Sequence, residues 1–173
     1  MTRNVVPYLA GADWYRAWLR SRIKGIEPPA PDMAPNRGLI RGAWGIQTLT
    51  VPIEGGRRRM ARIPYTQLRL SEHDDWRHKH RQAITSAYGA LPYFSYFIDE
   101  VGAPYATAAT LAELNGGLHS ALVKCAGLEH LADWIRLHPE APLPARRPSE
   151  VPGNLSALEL LFLYGPETIF HLL

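Results

Sequence analysis

Near residue 70 the spacing of apolar residues changes from two to about 3.6, and that change calls for sheet in the front half of the chain and helices behind it. Within 38–54, Leu39, Ile40, Ile46, Leu49, Val51 and Ile53 alternate with small or polar residues and are interrupted at Gly42-Ala43-Trp44-Gly45, the pattern of a β-hairpin. Gly55-Gly56 ends the second strand, Arg57, Arg58, Arg59 and Arg62 read as a solvated turn, and 66–70 offers a further strand with Leu68 and Leu70 on one face. Beyond it, 74–90, 105–126 and 129–137 carry helical spacing, and two short helices are predicted over 156–164 and 166–172. Strands first and helices later predict an α/β to α+β class, with a mixed β-sheet formed mainly by the N-terminal half and packed by helices from the C-terminal half.

Ahead of the hairpin, Val5-Val6-Pro7-Tyr8-Leu9 reads as a first strand, and Asp13 precedes Trp14, Trp18 and Leu19, which are spaced for one helix face. Four prolines within 27–36 and five within 138–152 forbid regular structure there and mark two surface loops. A chain of 173 residues, 46% hydrophobic and 20% charged, suits one domain over 1–173 with one core. No apolar run reaches the roughly 20 residues of a membrane span, and the N-terminus has no leader pattern, so a cytoplasmic protein is expected. Cys125 stands alone, which excludes an intrachain disulfide and a cysteine-based zinc site. The net charge of +3 gathers in Arg57–Arg59, Arg62 and Arg69 and again in Arg77, Lys79 and Arg81. Such a basic surface can attract phosphates, of nucleic acid or of a nucleotide-activated substrate, but without aromatics interleaved in a nucleic-acid module it reads as a solvated turn, and nucleic-acid binding is not expected.

Trp76, His80, Ile84 and Tyr88 recur every four residues and form one helical stripe facing the core. Ser71, Asp74 and Asp75 place a cap and negative charge at the start of that helix. His80 is the odd member, because a polar ring on an apolar face needs a hydrogen-bond partner or loses about 1–3 kcal/mol. It is either a core histidine tied to a backbone carbonyl or a general acid or base at a pocket edge. His73, His78 and His80 are not a metal set on a helix, since 78 and 80 point about 200° apart. Ser156 and Glu159 have the spacing of a capping box, and Gly165-Pro166 reads as a helix stop followed by the first position of the next helix. Asn36-Arg37 at the start of the hairpin reads as a turn cap and a surface charge, or as a phosphate or carboxylate clamp.

Three blocks resemble the WbqC-like protein family. Asn36-Arg37 with the hairpin and Leu49-Thr50-Val51-Pro52-Ile53 is similar to the family's "NR…G…LTVPV" segment. Trp76, His80, Ile84 and Tyr88 continue at the same spacing to Pro92-Tyr93-Phe94 and end in Tyr96, the second block. The third runs from Asn154-Leu155-Ser156 through Leu160-Leu161-Phe162 to Gly165-Pro166-Glu167. Two features depart from the pattern: Val5–Leu9 stand where longer relatives open with His-Gln-Pro, and Ala34-Pro35 replace an aromatic and a polar residue before Asn-Arg.

The family is associated with surface-polysaccharide and O-antigen gene clusters. The resemblance implies a role in that biosynthesis, such as group transfer onto an activated sugar, with a nucleotide-sugar or other anionic small molecule as partner. It raises Asn36, Arg37, Trp76, His80 and Tyr88 to candidate site residues: His80 as acid or base, Arg37 on an anionic group, Asn36 and Tyr88 orienting substrate, and Trp76 in the substrate site beside them. No cofactor is implied. The competing expectation is a non-catalytic accessory protein whose stripe only builds the core.

Overall fold

The computed structural model describes residues 5–173. Its class is α+β. Among the described residues the sheet is one antiparallel hairpin, β1 (Arg37–Gly42) and β2 (Gly45–Thr50), with Arg37 opposite Thr50 and Gly42 opposite Gly45. β1 buries Gly38 and Ile40 and exposes Arg41, while β2 buries only Leu49. Period-two alternation thus finds a core on one face of β1 and solvent around most of β2.

The helices are α1 (Ala12–Lys24), α2 (Gly56–Met60), α3 (Trp76–Tyr88), α4 (Phe94–Thr107), α5 (Leu111–Ala126), α6 (Leu128–Leu137), α7 (Leu158–Tyr164) and α8 (Thr168–Leu172). α3 and α6 lie where the spacing predicts them. The helix expected over 105–126 is instead parts of two. Thr110 accepts from the Glu113 amide while the Glu113 carboxylate accepts from the Thr110 amide, and this capping box restarts the chain as α5 after α4 has ended. Two prolines-rich stretches, 27–36 and 138–152, lack regular structure as expected.

Five other local expectations are corrected. The segment Val5–Leu9 is not a strand: residues 8 and 9 form a turn, and Leu9 holds φ at +46°. The stretch 66–70 joins no ladder. It opens as a 3₁₀ turn at Tyr65–Gln67 and makes only isolated bridges, Ile53 to Leu70 and Arg69 to Thr110, because its amides and carbonyls are shared between the chain after β2 and the start of α5. The arginine run forms the short α2 and not a turn. Ser156 and Glu159 form no capping box, since α7 starts at Leu158 and the Glu159 carboxylate turns to Arg41. Ser71 likewise does not cap α3, whose N-cap is Asp75.

Both ends of the chain close the core. Tyr8, Trp14, Trp18 and Leu19 from the front pack with the α3 stripe, with Leu111, Leu114, Leu118 and Leu122 of α5, and with Leu158 and Leu160–Phe162 of α7. The segment before α7 is threaded between the N-terminal stretch and β1: Ser156 donates its amide to Leu39, Ala157 to Ala10, and Ala12 donates to Leu155. Arg41 on β1 reaches Glu159 on α7 with Nε at 2.9 Å and Nη2 at 2.5 Å from Oε1. Gly165 ends α7 at φ +55°, lying so close under the Tyr93 ring that a Cβ would come within 2.6 Å of it.

Candidate functional site

The first sequence block builds a cavity. Pro52 and Gly55-Gly56 turn the chain after β2 so that α2 folds back over the end of the hairpin, enclosing about 580 Å³. Val51, Pro52, Ile53, Met60 and Ala61 give it a wall that is mostly carbon, and Arg37 and Arg57 are the charged residues that line it. Among the described residues neither arginine has a carboxylate within salt-bridge distance, whereas Arg16, Arg41, Arg69, Arg77 and Arg147 each have one. Two uncommitted forks in an apolar cleft favour an anionic group attached to an apolar body. Asn36, 7% exposed, holds this wall in place: its Nδ2 donates to the Val51 carbonyl at 2.8 Å, and the Val51 amide donates to its own carbonyl at 2.8 Å. Asn36 therefore spaces the start of β1 from the end of β2, with Arg37 next to it.

A second cavity of about 240 Å³ adjoins it, and Arg37 lines both. Its wall is the turn carrying Leu9, the indole of Trp14, and the polar side chains of Asp32 and Asn154. Trp14 is fixed by a bond from Nε1 to the Pro29 carbonyl at 3.2 Å. Gly38 lets the turn sit against β1, since a Cβ there would stand 2.7 Å from the Leu9 Cβ and 2.8 Å from the Tyr8 carbonyl oxygen. Asn115 on α5 fixes the same region from below, donating to the carbonyls of Val6 and Pro35, both at 2.9 Å.

The stripe is placed differently. Trp76, His80 and Tyr88 are in the wall of neither cavity. Each is buried, and each makes a hydrogen bond to another part of the core. Trp76 Nε1 donates to the Ser71 carbonyl at 2.8 Å, and the Tyr88 hydroxyl accepts from the Arg41 amide at 3.2 Å. His80 Nδ1 lies 2.8 Å from the Tyr8 hydroxyl, which lies 2.5 Å from that of Tyr105. The histidine is thus tied to a tyrosine rather than to a carbonyl. Tyr8 connects the two regions, because its ring and backbone line the second cavity while its hydroxyl ends at His80. Asn36 and Arg37 come together at the cavities, and Trp76, His80 and Tyr88 stand behind them.

Burial pushes His80 from an ordinary imidazole value of 6.5 down to about 4, and His119 on α5 likewise to about 4. Well above pH 6.5 His80 is neutral folded or unfolded, and its titration has no effect on stability. As pH falls through that value the unfolded chain takes a proton that the folded chain refuses, so stability declines until about pH 4, at a cost near 3 kcal/mol for His80. Urea denaturation at pH 7.5, 6, 5 and 4 should show His80→Gln losing about 2–3 kcal/mol less than the parent across that range. Equal losses in the two proteins would mean that His80 is not held neutral in the fold.

The sequence pointed to Asn36 and Arg37 but missed Arg57, which read as a turn residue, Met60, and Asp32, Trp14 and Asn154 in the second wall. The signal that was available is Gly55-Gly56 after Pro52, a pair able to reverse the chain onto the hairpin. Nothing local in the sequence links Asp32 or Asn154 to Arg37, since they lie in irregular segments. Among the described residues no group of three or more His, Cys, Asp or Glu side chains is placed to hold a metal ion, and no helix is long and apolar enough to cross a membrane. A model of the WbqC-like protein family matches residues 33–138, a span that includes β1, β2, the larger cavity and α3 to α6. No curated protein and no solved structure matches the chain.

Proposed function

The chain belongs to the WbqC-like protein family, and on that premise we propose that it binds a nucleotide-activated sugar and takes part in a group transfer onto it during surface-polysaccharide assembly. The observation that carries this reading is the pairing of Arg37 and Arg57, neither with a carboxylate partner among the described residues, on the carbon-rich wall of the larger cavity. Arg37 and Arg57 hold the phosphates, and Asn36 keeps the cavity open by tying its two walls together. Trp76 and Tyr88 form the packed floor behind the site. His80 acts on it through Tyr8 as a positioning residue.

Thermal unfolding with a panel of UDP-, GDP- and dTDP-sugars tests the reading, since a ligand of the folded state raises the midpoint by mass action. At least one compound should raise it. Arg37→Ala, at an incompletely buried position, should remain folded and weaken that compound roughly 10- to 100-fold, the effect of removing a hydrogen bond to a charged group. A panel without any shift, or an Arg37→Ala protein that binds as tightly as the parent, would reject the reading. The buried stripe would then support the accessory-protein alternative, in which these residues only build the core.

A further inference from the structure

The two cavities differ in chemistry on either side of one shared side chain. The larger is lined by Val51, Pro52, Ile53 and Met60 with Arg37 and Arg57; the smaller is lined by Asp32, Asn154 and Trp14. Arg37 lines both. We propose that they are one bipartite site with a fixed polarity: the nucleoside of a nucleotide-sugar in the larger cavity, its phosphates at Arg37 and Arg57, and its sugar in the smaller cavity against Asp32, Asn154 and Trp14.

This rests on the nucleotide-sugar reading above and adds the direction of binding. Asp32 sets that direction. A carboxylate repels phosphate and accepts hydrogen bonds from hydroxyl groups, so the smaller cavity disfavours the anionic part of the ligand and favours the hydroxyl-bearing part. Asn154 offers both a donor and an acceptor to ring hydroxyls. Trp14, 4% exposed and held by its bond to Pro29, gives this cavity an apolar edge for the carbon part of a sugar ring to touch. The larger cavity provides apolar contact for a flat base, with Met60 adaptable in shape. The unpaired guanidinium of Arg37 at the boundary is placed for the phosphates that join the two halves.

The left-handed backbone at Leu9 fits the same assignment. A leucine at φ +46° is an uncommon conformation that the surrounding structure has to hold, and here it aims the turn of residues 8 and 9 into the wall of the smaller cavity. The close fit of Gly38 beneath it prevents the turn from being displaced outward by a side chain on β1.

Calorimetric titration of three probes tests the polarity: the nucleotide-sugar that gives the largest midpoint shift, its nucleoside diphosphate, and its sugar 1-phosphate. Asp32→Ala, on an exposed loop position, should weaken the nucleotide-sugar and the sugar 1-phosphate roughly tenfold while leaving the nucleoside diphosphate unchanged. Met60→Trp, which fills the larger cavity, should weaken the nucleotide-sugar and the nucleoside diphosphate and spare the sugar 1-phosphate. Arg37→Ala should weaken all three. The reverse pattern, with Asp32→Ala affecting the nucleoside diphosphate and Met60→Trp the sugar 1-phosphate, overturns the polarity while leaving the underlying reading intact. Loss at Arg37 with no effect at Asp32 also overturns it, because the sugar then lies elsewhere. Unchanged binding of all three in Arg37→Ala overturns the reading and the inference together.

Discussion

Trp76→Ala is expected to lower the free energy of unfolding by about 3–5 kcal/mol, the range for deleting a buried tryptophan from a packed core. The indole is 3% exposed, its ring meets that of His80 edge-on at 5.3 Å, and the Arg77 guanidinium lies over it at 5.0 Å. Removal leaves a cavity beside the Tyr8, His80 and Tyr105 chain and strands the Ser71 carbonyl. Trp76→Phe keeps most of the apolar volume and loses the bond to Ser71, so its cost should be smaller. Urea denaturation followed by circular dichroism measures both. A Trp76→Ala protein within about 1 kcal/mol of the parent would show that the stripe is not packed as described and is free to meet a ligand.

Arg41→Ala is the second large effect. Glu159 is 5% exposed, its Oε1 accepts both bonds from Arg41, and its Oε2 is buried with no protein partner. Without Arg41 the carboxylate loses its counter-charge in the interior, which costs about 3–5 kcal/mol in fully enclosed pairs. Arg41 itself is half exposed, so water enters the vacated space and the expected cost falls to roughly 2–4 kcal/mol. Replacing Glu159 by Leu in the Arg41→Ala background removes the stranded charge and should recover most of that loss. Urea midpoints of the two single variants and the double variant close the cycle. An Arg41→Ala protein as stable as the parent, or a double variant no better than Arg41→Ala, would mean that the pair contributes nothing to the fold.

What the sequence conveyed follows from how locally each feature is encoded. α3 was legible because its periodicity and its burial coincide at Trp76, His80, Ile84 and Tyr88; the hairpin was legible from its alternation and the turn at 42–45, although only Ile40 and Leu49 of its apolar strand residues are buried and Ile46 is exposed. The strand read at Val5–Leu9 failed because a short apolar run fits a buried turn as well as a strand, and Leu9 is held left-handed by contacts with β1 that no propensity encodes. The split between α4 and α5 was visible in principle, as Thr110 and Glu113 have capping-box spacing, but the apolar spacing runs through it. For the site, Asn36 and Arg37 were legible as a pair. The second arginine and the smaller cavity were not, because they depend on α2 folding back and on loops brought in from residues 32 and 154. The partner of Glu159 was also out of reach, for Arg41 lies 118 positions away.

The threading of the segment before α7 between the N-terminal stretch and β1 has a consequence for the order of assembly. The bonds that close the hairpin and the stripe span 72 residues from Tyr8 to His80 and 118 from Arg41 to Glu159, and Arg16 reaches across 155 to the His171 carbonyl. Contacts of such separation are expensive in loop-closure entropy and slow to form. During synthesis β1 and β2 leave the ribosome well before residues 155–159, with the Leu39 carbonyl and the Arg41 guanidinium still waiting for their partners. The native hairpin surface is therefore completed only after residues 155–159 have been made, and a nascent chain stopped at residue 138 presents an open strand edge to its surroundings.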